Sequence, residues 1–388
     1  MKIGFLSHLD LNLYLFRLPI MKALVAQGHK VYAICPVGDK FHLFTQYNVE
    51  AIAYDINRSS VNPLKEIKAI YNIYRAVKPL NLDILHTFTA KPNIYGTIAG
   101  KFAHVPTIIN LVEGLGSFYI EDTWKNRSMR MLIETLYKGT FFLSDHTVFV
   151  NSDDPKYLEN KKIIPSSKIT IIKSVGIDSE EFHIKNILAE DINHLKDVLG
   201  VKNKLVILMV ARAIWHKGIR EYYEAATLLE KYENVQFFLV GDIDDGNPSA
   251  ADRDFLENAR VKLLGHRDDI LALTALSDIY VLPSYREGVP RTLLEAASMG
   301  KPIVTTDTVG CREVVKDGYN GYLVPVSDST ALSEKIELLI NDTKKREIMG
   351  KNGRILVINE FDVHKVVEQY IGLYNKFLQE RGSRESKK

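Results

Sequence analysis

Two carboxylates eight residues apart, Glu287 and Glu295, bracket the segment EGVPRTLLE. The segment follows an apolar run ending in LPSYR and opens a helical pattern, so Glu287 falls in a loop and Glu295 in the early turns of a helix. Backbone N–H groups at a helix start point outward and favour an anion such as a diphosphate, and Gly288 lets the backbone approach a ligand closely. A carboxylate at each end can accept hydrogen bonds from the hydroxyls of a sugar and of a ribose. The pair also fits the ordinary preference of acidic residues for a helix N-terminus. A second group, ARAIWHKG at residues 211–218, lies past another strand end and before another helix. Arg212 and Lys217 could clamp a diphosphate and neutralise charge on a departing nucleotide. The plainer alternative is a solvated basic turn. Together the two groups bring cations and amides for phosphates, and carboxylates for hydroxyls, to the strand ends of one sheet.

Other candidates lie in the first half. Glu113 follows the apolar run IINLV, and Gly114 and Gly116 allow a tight turn that exposes it. His8 ends the first strand and His86 ends the strand DIL. These three side chains outline a site for a second substrate, although each also fits a loop with local hydrogen bonds. Arg17 and Lys91 join His8 and His86 as candidates for acceptor phosphates, on charge and strand-end position alone. Asp242-Ile243-Asp244 is the nearest approach to a metal-binding Asp-x-Asp, and it reads more simply as a solvated loop, so metal-independent chemistry without a cofactor is expected. No Gly-x-Gly-x-x-Gly fingerprint follows Ser7, where the loop reads His8-Leu9-Asp10-Leu11-Asn12, and no Walker loop is present. A nicotinamide dehydrogenase is therefore a poor reading.

Positioning these groups requires an alternation of strands and helices. KIGFLS, a helical pattern from Arg17 to Ala26 closed by Gly28, and KVYAIC make a βαβ unit. AIAYDI near residue 51, a helix near 64–78, DILHTF, a helix near 92–103, PTIINLV and TVFVNS continue it, and KITIIKSVGID at 168–178 reads as the last strand with its turn. A second series opens with LVILMVAR at Leu205. VQFFLVGD, VKLLGH, DIYVLPS and PIVTTD follow, with helices near 218–232, 268–276, 291–299 and 329–350. Strands this continuously apolar are expected where helices cover both faces of a parallel sheet. The reading is α/β: two doubly wound Rossmann-like domains meeting near residues 176–200. Ligands in such sheets bind outside the strand carboxyl ends, so the cleft between the two domains is the expected reaction site.

Bulk properties narrow the function. The 388 residues suit two α/β domains, with 46% apolar and 25% charged residues. A net charge of +2 is too near balance for a dedicated nucleic-acid binder. Cys35 and Cys311 have no metal-ligand spacing and read as small buried hydrophobes in a reducing compartment. The N-terminal apolar stretch is broken by His8 and Asp10 and does not read as a signal peptide. No apolar run approaches ~18 residues, so no membrane span is expected. The segment from Trp124 to Phe142 mixes Lys125, Arg127, Arg130 and Lys138 with aromatic and aliphatic residues. It suits an anionic bilayer surface, or equally a core helix with a solvated basic face.

The Arg212-x4-Lys217 and Glu287-x7-Glu295 pairs resemble the donor signature of the family 4 retaining glycosyltransferases of GT-B fold. The stretches MKIGFLSH, LVEGLGSFYI, IIKSVGI, ARAIWHKGIREYYEAA, GDIDDGNPS and LPSYREGVP carry the likeness through both halves. The resemblance implies an acceptor-binding domain at 1–178 and a nucleotide-sugar-binding domain at 179–360, facing a cleft, with a final helix near 361–380 crossing back to the first. Within the family the likeness is to enzymes of bacterial protein N-glycosylation. It implies transfer of GalNAc from UDP-GalNAc, with retention and in α-1,3 linkage, to undecaprenyl-diphospho-di-N-acetylbacillosamine. The polyprenyl-diphosphate acceptor implies a cytoplasmic enzyme peripheral to the inner face of the cell membrane. By the same resemblance Glu287 binds donor-sugar hydroxyls, Glu295 the uridine ribose, and Arg212 and Lys217 the diphosphate. Backbone amides from Gly288 through Val289 to Leu294 assist, and His266-Arg267 sits near the uracil. Lys217, Arg212, Glu287 and Glu113 are the expected catalytic set, with Glu113 either positioning the acceptor sugar or acting as a base. Many members carry His where Glu113 stands, so the role of that His does not transfer directly, and the first loop lacks the family's paired glycines. The rival readings are another UDP-sugar or acceptor on the same scaffold, and a non-catalytic sugar-nucleotide binder.

Overall fold

A computed structural model describes residues 1–57, 60, 62–244, 246–257 and 260–385, with side chains through residue 380 in the last helix. The chain forms two compact units, Met1–Gly176 with Val363–Lys388, and Ile177–Asp362. The expected boundary at 178/179 lies two residues beyond this crossing. The return crossing at Asp362/Val363 assigns the last helix, Val363–Glu385, to the N-terminal unit.

The N-terminal unit is a parallel seven-stranded sheet: β1 (Lys2–Leu6), β2 (Lys30–Cys35), β3 (Val49–Ala53), β4 (Ile84–Phe88), β5 (Thr107–Val112), β6 (His146–Phe149) and β7 (Ile169–Ile171), in the order β3-β2-β1-β4-β5-β6-β7. The C-terminal unit is a parallel six-stranded sheet: β8 (Leu205–Val210), β9 (Val235–Val240), β10 (Val261–Leu263), β11 (Ile279–Leu282), β12 (Ile303–Thr306) and β13 (Gly321–Val324), in the order β10-β9-β8-β11-β12-β13. Both orders reverse once, beside β1 and β4 in one sheet and beside β8 and β11 in the other. Such a reversal opens a crevice outside the strand carboxyl ends. β4, β5, β11 and β12 are buried along their whole length, and β1 and β8 all but their ends, as helices on both faces require. Helix starts follow local chemistry. Asn62 caps Pro63–Val77, where Pro63 occupies the first turn, and Thr123 caps Trp124–Leu143.

Several elements depart from the sequence reading. The loop expected after Ser7 is already helical at Asp10–Phe16, and a second helix, Leu18–Ala26, follows a break at Arg17. Asp10 looks like a loop residue in sequence. Its carboxylate is spent on its helix-start neighbour, the Leu11 amide, and on the Lys40 amide across the sheet end. The stretch expected to be one helix at 329–350 is two, Ser329–Ile340 and Thr343–Leu356, each N-capped by an aspartate, Asp328 and Asp342. The strand expected at 168–178 is only β7, three residues long. His86 does not end its strand. It lies in the middle of β4 with no exposed surface.

Candidate functional site

In the C-terminal unit the segments after β8, β9 and β10, with Thr292 after β11, line one cavity. After β8 a short turn, Trp215–Lys217, ends in Gly218 at φ +77°. A Cβ there would lie 2.1 Å from the Pro283 carbonyl oxygen, so only glycine lets the turn after β8 pack against the turn after β11. Gly310, after β12, plays the same part at φ +83°: a Cβ would meet the carbonyl oxygens of Gly288 and Glu287 at 2.4 and 2.7 Å. The Glu287 loop is thus supported from below by a backbone that tolerates no side chain. Its amide donates to the Val309 carbonyl at 3.1 Å.

Those turns bring Lys217 to Glu287 across the point where the strand order reverses. Lys217 Nζ lies 2.5 Å from Glu287 Oε1, with side chains 23% and 12% exposed. Ser284 Oγ lies 2.6 Å from the same oxygen and 3.2 Å from the His216 carbonyl. Ser284 was not anticipated, and its place three residues before Glu287 at the end of β11 was the available signal. Arg212 sits on the same edge, 2.6 Å from Asp244 Oδ2. Asp244 therefore serves as a partner for Arg212 and for Asn247, whose amide lies 2.8 Å from the same oxygen. The Asn247 amide first, and then Arg212, hold its carboxyl below the usual carboxylate range. Arg212, Asp242, Asp244, His266, Arg267 and Thr292 line a cavity of about 460 Å³. Arg267 is held by a forked pair to Asp269 at 2.8 and 2.5 Å.

Glu295 lies in the second turn of helix Arg291–Ser298 and accepts from Arg291 Nε at 2.9 Å. Burial pushes its carboxyl up against the pull of Arg291. The expectation of a run of amides from Gly288 to Leu294 is corrected at its far end. The Leu293 and Leu294 amides donate to the Pro290 carbonyl at 3.1 and 3.4 Å, and the Leu294 side chain is core. Pro290 has no N–H to offer.

In the N-terminal unit the expected acceptor group is only partly assembled. His8 Nδ1 lies 2.5 Å from Thr89 Oγ1, bridging the ends of β1 and β4 at that sheet's reversal. Glu113, after β5, pairs with Arg17. Arg17 has no exposed surface, so it is not a phosphate ligand here. Its long side chain has been drawn inward to the carboxylate. His86 is likewise removed from the candidates: it is buried, and its Nδ1 shares a 2.7 Å hydrogen bond with Tyr374 Oη. Lys91 is spent on the chain itself. Its Nζ reaches both Glu66 oxygens at 3.1 and 3.0 Å and the Asn57 and Ser60 carbonyls at 2.9 and 2.6 Å. Charge and strand-end position cannot distinguish a lysine facing a ligand from one clipping a loop.

Helix Trp124–Leu143 packs Tyr137, Thr140 and Phe141 inward. Trp124, Met131, Leu132, Leu136 and Phe142 remain exposed, Trp124 and Phe142 at more than 80%. Arg127 and Arg130 both pair with Asp122, so the helix is less basic than its sequence suggests. Cys35 and Cys311 are buried free thiols. Among the described residues no helix is long and apolar enough to cross a membrane.

Two parallel six- and seven-stranded α/β units, with a cation, a carboxylate and a helix start gathered at a strand-order reversal, define a nucleotide-sugar transferase architecture. The model described as Glycosyl transferase 4-like matches residues 2–147, and the one described as Glycosyl transferases group 1 matches residues 191–356. The chain belongs to the family 4 glycosyltransferases of GT-B fold. It is 38% identical over 378 residues, 97% of this chain and 99% of the relative, to the N,N'-diacetylbacillosaminyl-diphospho-undecaprenol alpha-1,3-N-acetylgalactosaminyltransferase of Campylobacter jejuni. It is 30% identical over 324 residues, 81% of each chain, to the UDP-Gal:alpha-D-GlcNAc-diphosphoundecaprenol alpha-1,3-galactosyltransferase of Escherichia coli. The solved structure of HepE from Anabaena in complex with UDP and glucose matches with a TM-score of 0.78 at 22% identity, over 97% of this chain and 99% of that one.

Proposed function

We propose that this enzyme transfers GalNAc from UDP-GalNAc, with retention and α-1,3 linkage, to undecaprenyl-diphospho-di-N-acetylbacillosamine in bacterial protein N-glycosylation. The observation that carries the proposal is the Lys217–Glu287 pair at the strand-order reversal of the C-terminal sheet, on a chain 38% identical over nearly its full length to a transferase with that donor sugar and acceptor. A cation beside a carboxylate, ahead of a helix start, offers a grip for two phosphates and a steering contact for the attached hexose.

Each group then has a role. Lys217 and Arg212 stabilise the leaving diphosphate, with amides from Gly288, Val289 and the helix start. Glu287 accepts from the hydroxyls of the donor sugar, and Glu295 from the ribose. His266 and Arg267 border the cavity that takes the uracil. Retention follows from front-face displacement, in which the leaving phosphate takes the proton of the attacking hydroxyl and the transition state resembles an oxocarbenium ion. Charge grows on the phosphate in that step, and donors fixed in advance contribute most there. Glu113 contacts the acceptor sugar. No step is assigned to a metal or cofactor. The lipid acceptor places the enzyme at the cytoplasmic membrane surface, held by the exposed apolar face of helix Trp124–Leu143.

A panel of radiolabelled UDP-sugars with the lipid-linked bacillosamine acceptor tests the assignment. UDP release and a labelled lipid product are expected with UDP-GalNAc, at rates at least ~10-fold above UDP-GlcNAc and UDP-Gal, since one well-made polar contact discriminates by that much or more. Faster transfer from another UDP-sugar overturns the donor. Binding of UDP-GalNAc with no transfer to any polyprenyl-diphosphate acceptor overturns the enzyme reading.

A further inference from the structure

Arg17 is out of place for a structural residue. It stands at the break between helices Asp10–Phe16 and Leu18–Ala26, and its side chain is fully buried. One nitrogen, Nη2, donates to Glu113 Oε1, while Nε and Nη1 have no hydrogen-bond partner among the described residues. The guanidinium lies over the Phe88 ring, 4.7 Å from its centroid. A buried cation with two unpaired donors is an expensive way to hold a fold together, and an apolar side chain of similar volume is often as stable or more so.

The groups around it are uncharged. The His86 ring is 4.3 Å from that of Phe88, and its Nδ1 is shared with Tyr374 Oη from the last helix. Tyr370, from the same helix, packs 5.7 Å from His86, and its Oη is also without a hydrogen-bond partner among the described residues. Burial keeps His86 deprotonated and both tyrosines protonated. Arg17 and Glu113 therefore form a charged pair on an aromatic floor, and only the Glu113 end reaches the surface, its side chain 29% exposed. Arg17 takes Oε1, and the Glu113 side chain is the part of the pair open to solvent.

We propose that Arg17 is a positioning residue for glycosyl transfer: from beneath the site it fixes the orientation of the Glu113 carboxylate for a hydroxyl of the acceptor sugar. This rests on the reading of Glu113 as an acceptor contact. Arg17 touches no substrate and acts entirely through Glu113.

A double-mutant cycle on the full-length enzyme tests it, using R17M, E113A and the double variant. The cycle is run with whichever nucleotide sugar the wild type turns over, so a wrong donor assignment leaves it decisive. R17M is expected to lower kcat/KM for the lipid acceptor by roughly 100-fold, the scale of an ångström's misplacement. UDP affinity and the melting temperature should hold or, for the latter, rise. R17M/E113A should be no slower than E113A alone, because Arg17 has nothing left to position. R17K keeps the charge without the planar fork and should recover part of the loss. Losses that multiply in the double variant overturn the positioning role and leave Glu113 as an acceptor contact. Wild-type rates in E113A overturn the Glu113 reading itself, and Arg17's role with it. If R17M does not accumulate as folded protein, R17K takes its place in the cycle, and multiplied losses there overturn the proposal equally.

Discussion

The Lys217–Glu287 pair sets the terms for the chemistry at the level of single residues. Both side chains are largely withdrawn from water, and each would be costly to bury alone. In the proposed mechanism an arriving diphosphate would compete with Glu287 for Lys217, and Ser284, 2.6 Å from Glu287 Oε1, would keep a hydrogen bond on the carboxylate. On that proposal Ser284 would hold Glu287 in place as Lys217 turns to the phosphate. Lys217→Ala should lower turnover by ~100-fold or more, the scale of losing one fixed donor at developing charge, with a smaller loss of donor binding. Steady-state UDP release and calorimetric titration of UDP separate the two. Unchanged turnover removes Lys217 from leaving-group stabilisation. The residue types and spacing of this site were legible in the sequence, because a strand end followed by a loop and a helix start fixes where Lys217 and Glu287 emerge. The partner of each side chain was not. Asp244 as the counter-charge of Arg212, Arg17 turned inward and Lys91 spent on Glu66 all depend on which groups the fold brings within 3 Å of one another, and charge pattern alone is silent on that.

At the level of elements, helix Trp124–Leu143 has apolar side chains on two opposite faces. At ~100° per residue, Ile133, Tyr137 and Phe141 fall together and pack inward. Trp124, Met131 and Phe142 line up within roughly 20° of one another on the other side, and Leu132, Leu143 and Leu136 follow roughly 80–120° further round the helix, all exposed. A soluble helix has no use for a second apolar stripe, and patches of this kind mark sites that meet another apolar phase. Lys125 and Lys138 flank the stripe, while Arg127 and Arg130 are shared with Asp122. Insertion of the apolar side chains should therefore outweigh charge in binding. In flotation with vesicles of phosphatidylglycerol and phosphatidylethanolamine, the wild type should float and W124S/F142S should remain behind. Raising the salt should weaken wild-type binding only modestly, since two lysines contribute about 1 kcal/mol each. Equal flotation of wild type and W124S/F142S removes this helix as the docking face. The helix itself was plain in sequence, from its period and from Thr123 at its start. Which of its two apolar faces packs inward is decided by the helix Ala90–Phe102, with Phe149 of β6 and Tyr157 closing around it, and so it is settled only in the folded unit.

The two units of the molecule differ in how they carry protons. The N-terminal unit buries His86, and burial first, then the Arg17 cation, push its pKa well below the ordinary imidazole value. His146, at the start of β6, is held at about 4 by burial and by Lys376 and Lys168. Both titrate near ~6.5 in an unfolded chain. Below that pH the unfolded unit takes up protons that the folded unit refuses, so the stability these histidines leave intact above ~6.5 is lost as the pH falls, for His146 down to about 4. In the C-terminal unit burial also lowers the pKa of His183, which lies near the surface, while Glu295 works in the opposite sense. Burial raises its pKa, so the folded state takes up a proton before the unfolded state does, and stability is gained as the pH falls through that window. Acid should therefore open the N-terminal unit first. Hydrogen exchange followed by mass spectrometry at pH 7.5 and 5, corrected for intrinsic rates, should show protection lost in β4, β5 and β6 before β8 and β11. H146F keeps the ring against Phe377, 5.3 Å away, and removes the titrating group. It should flatten the fall in melting temperature over this range by a few degrees, since ~1 kcal/mol moves a domain of this size by about 2–4 °C. An unchanged slope in H146F, or earlier opening of the C-terminal sheet, places the acid-sensitive groups elsewhere.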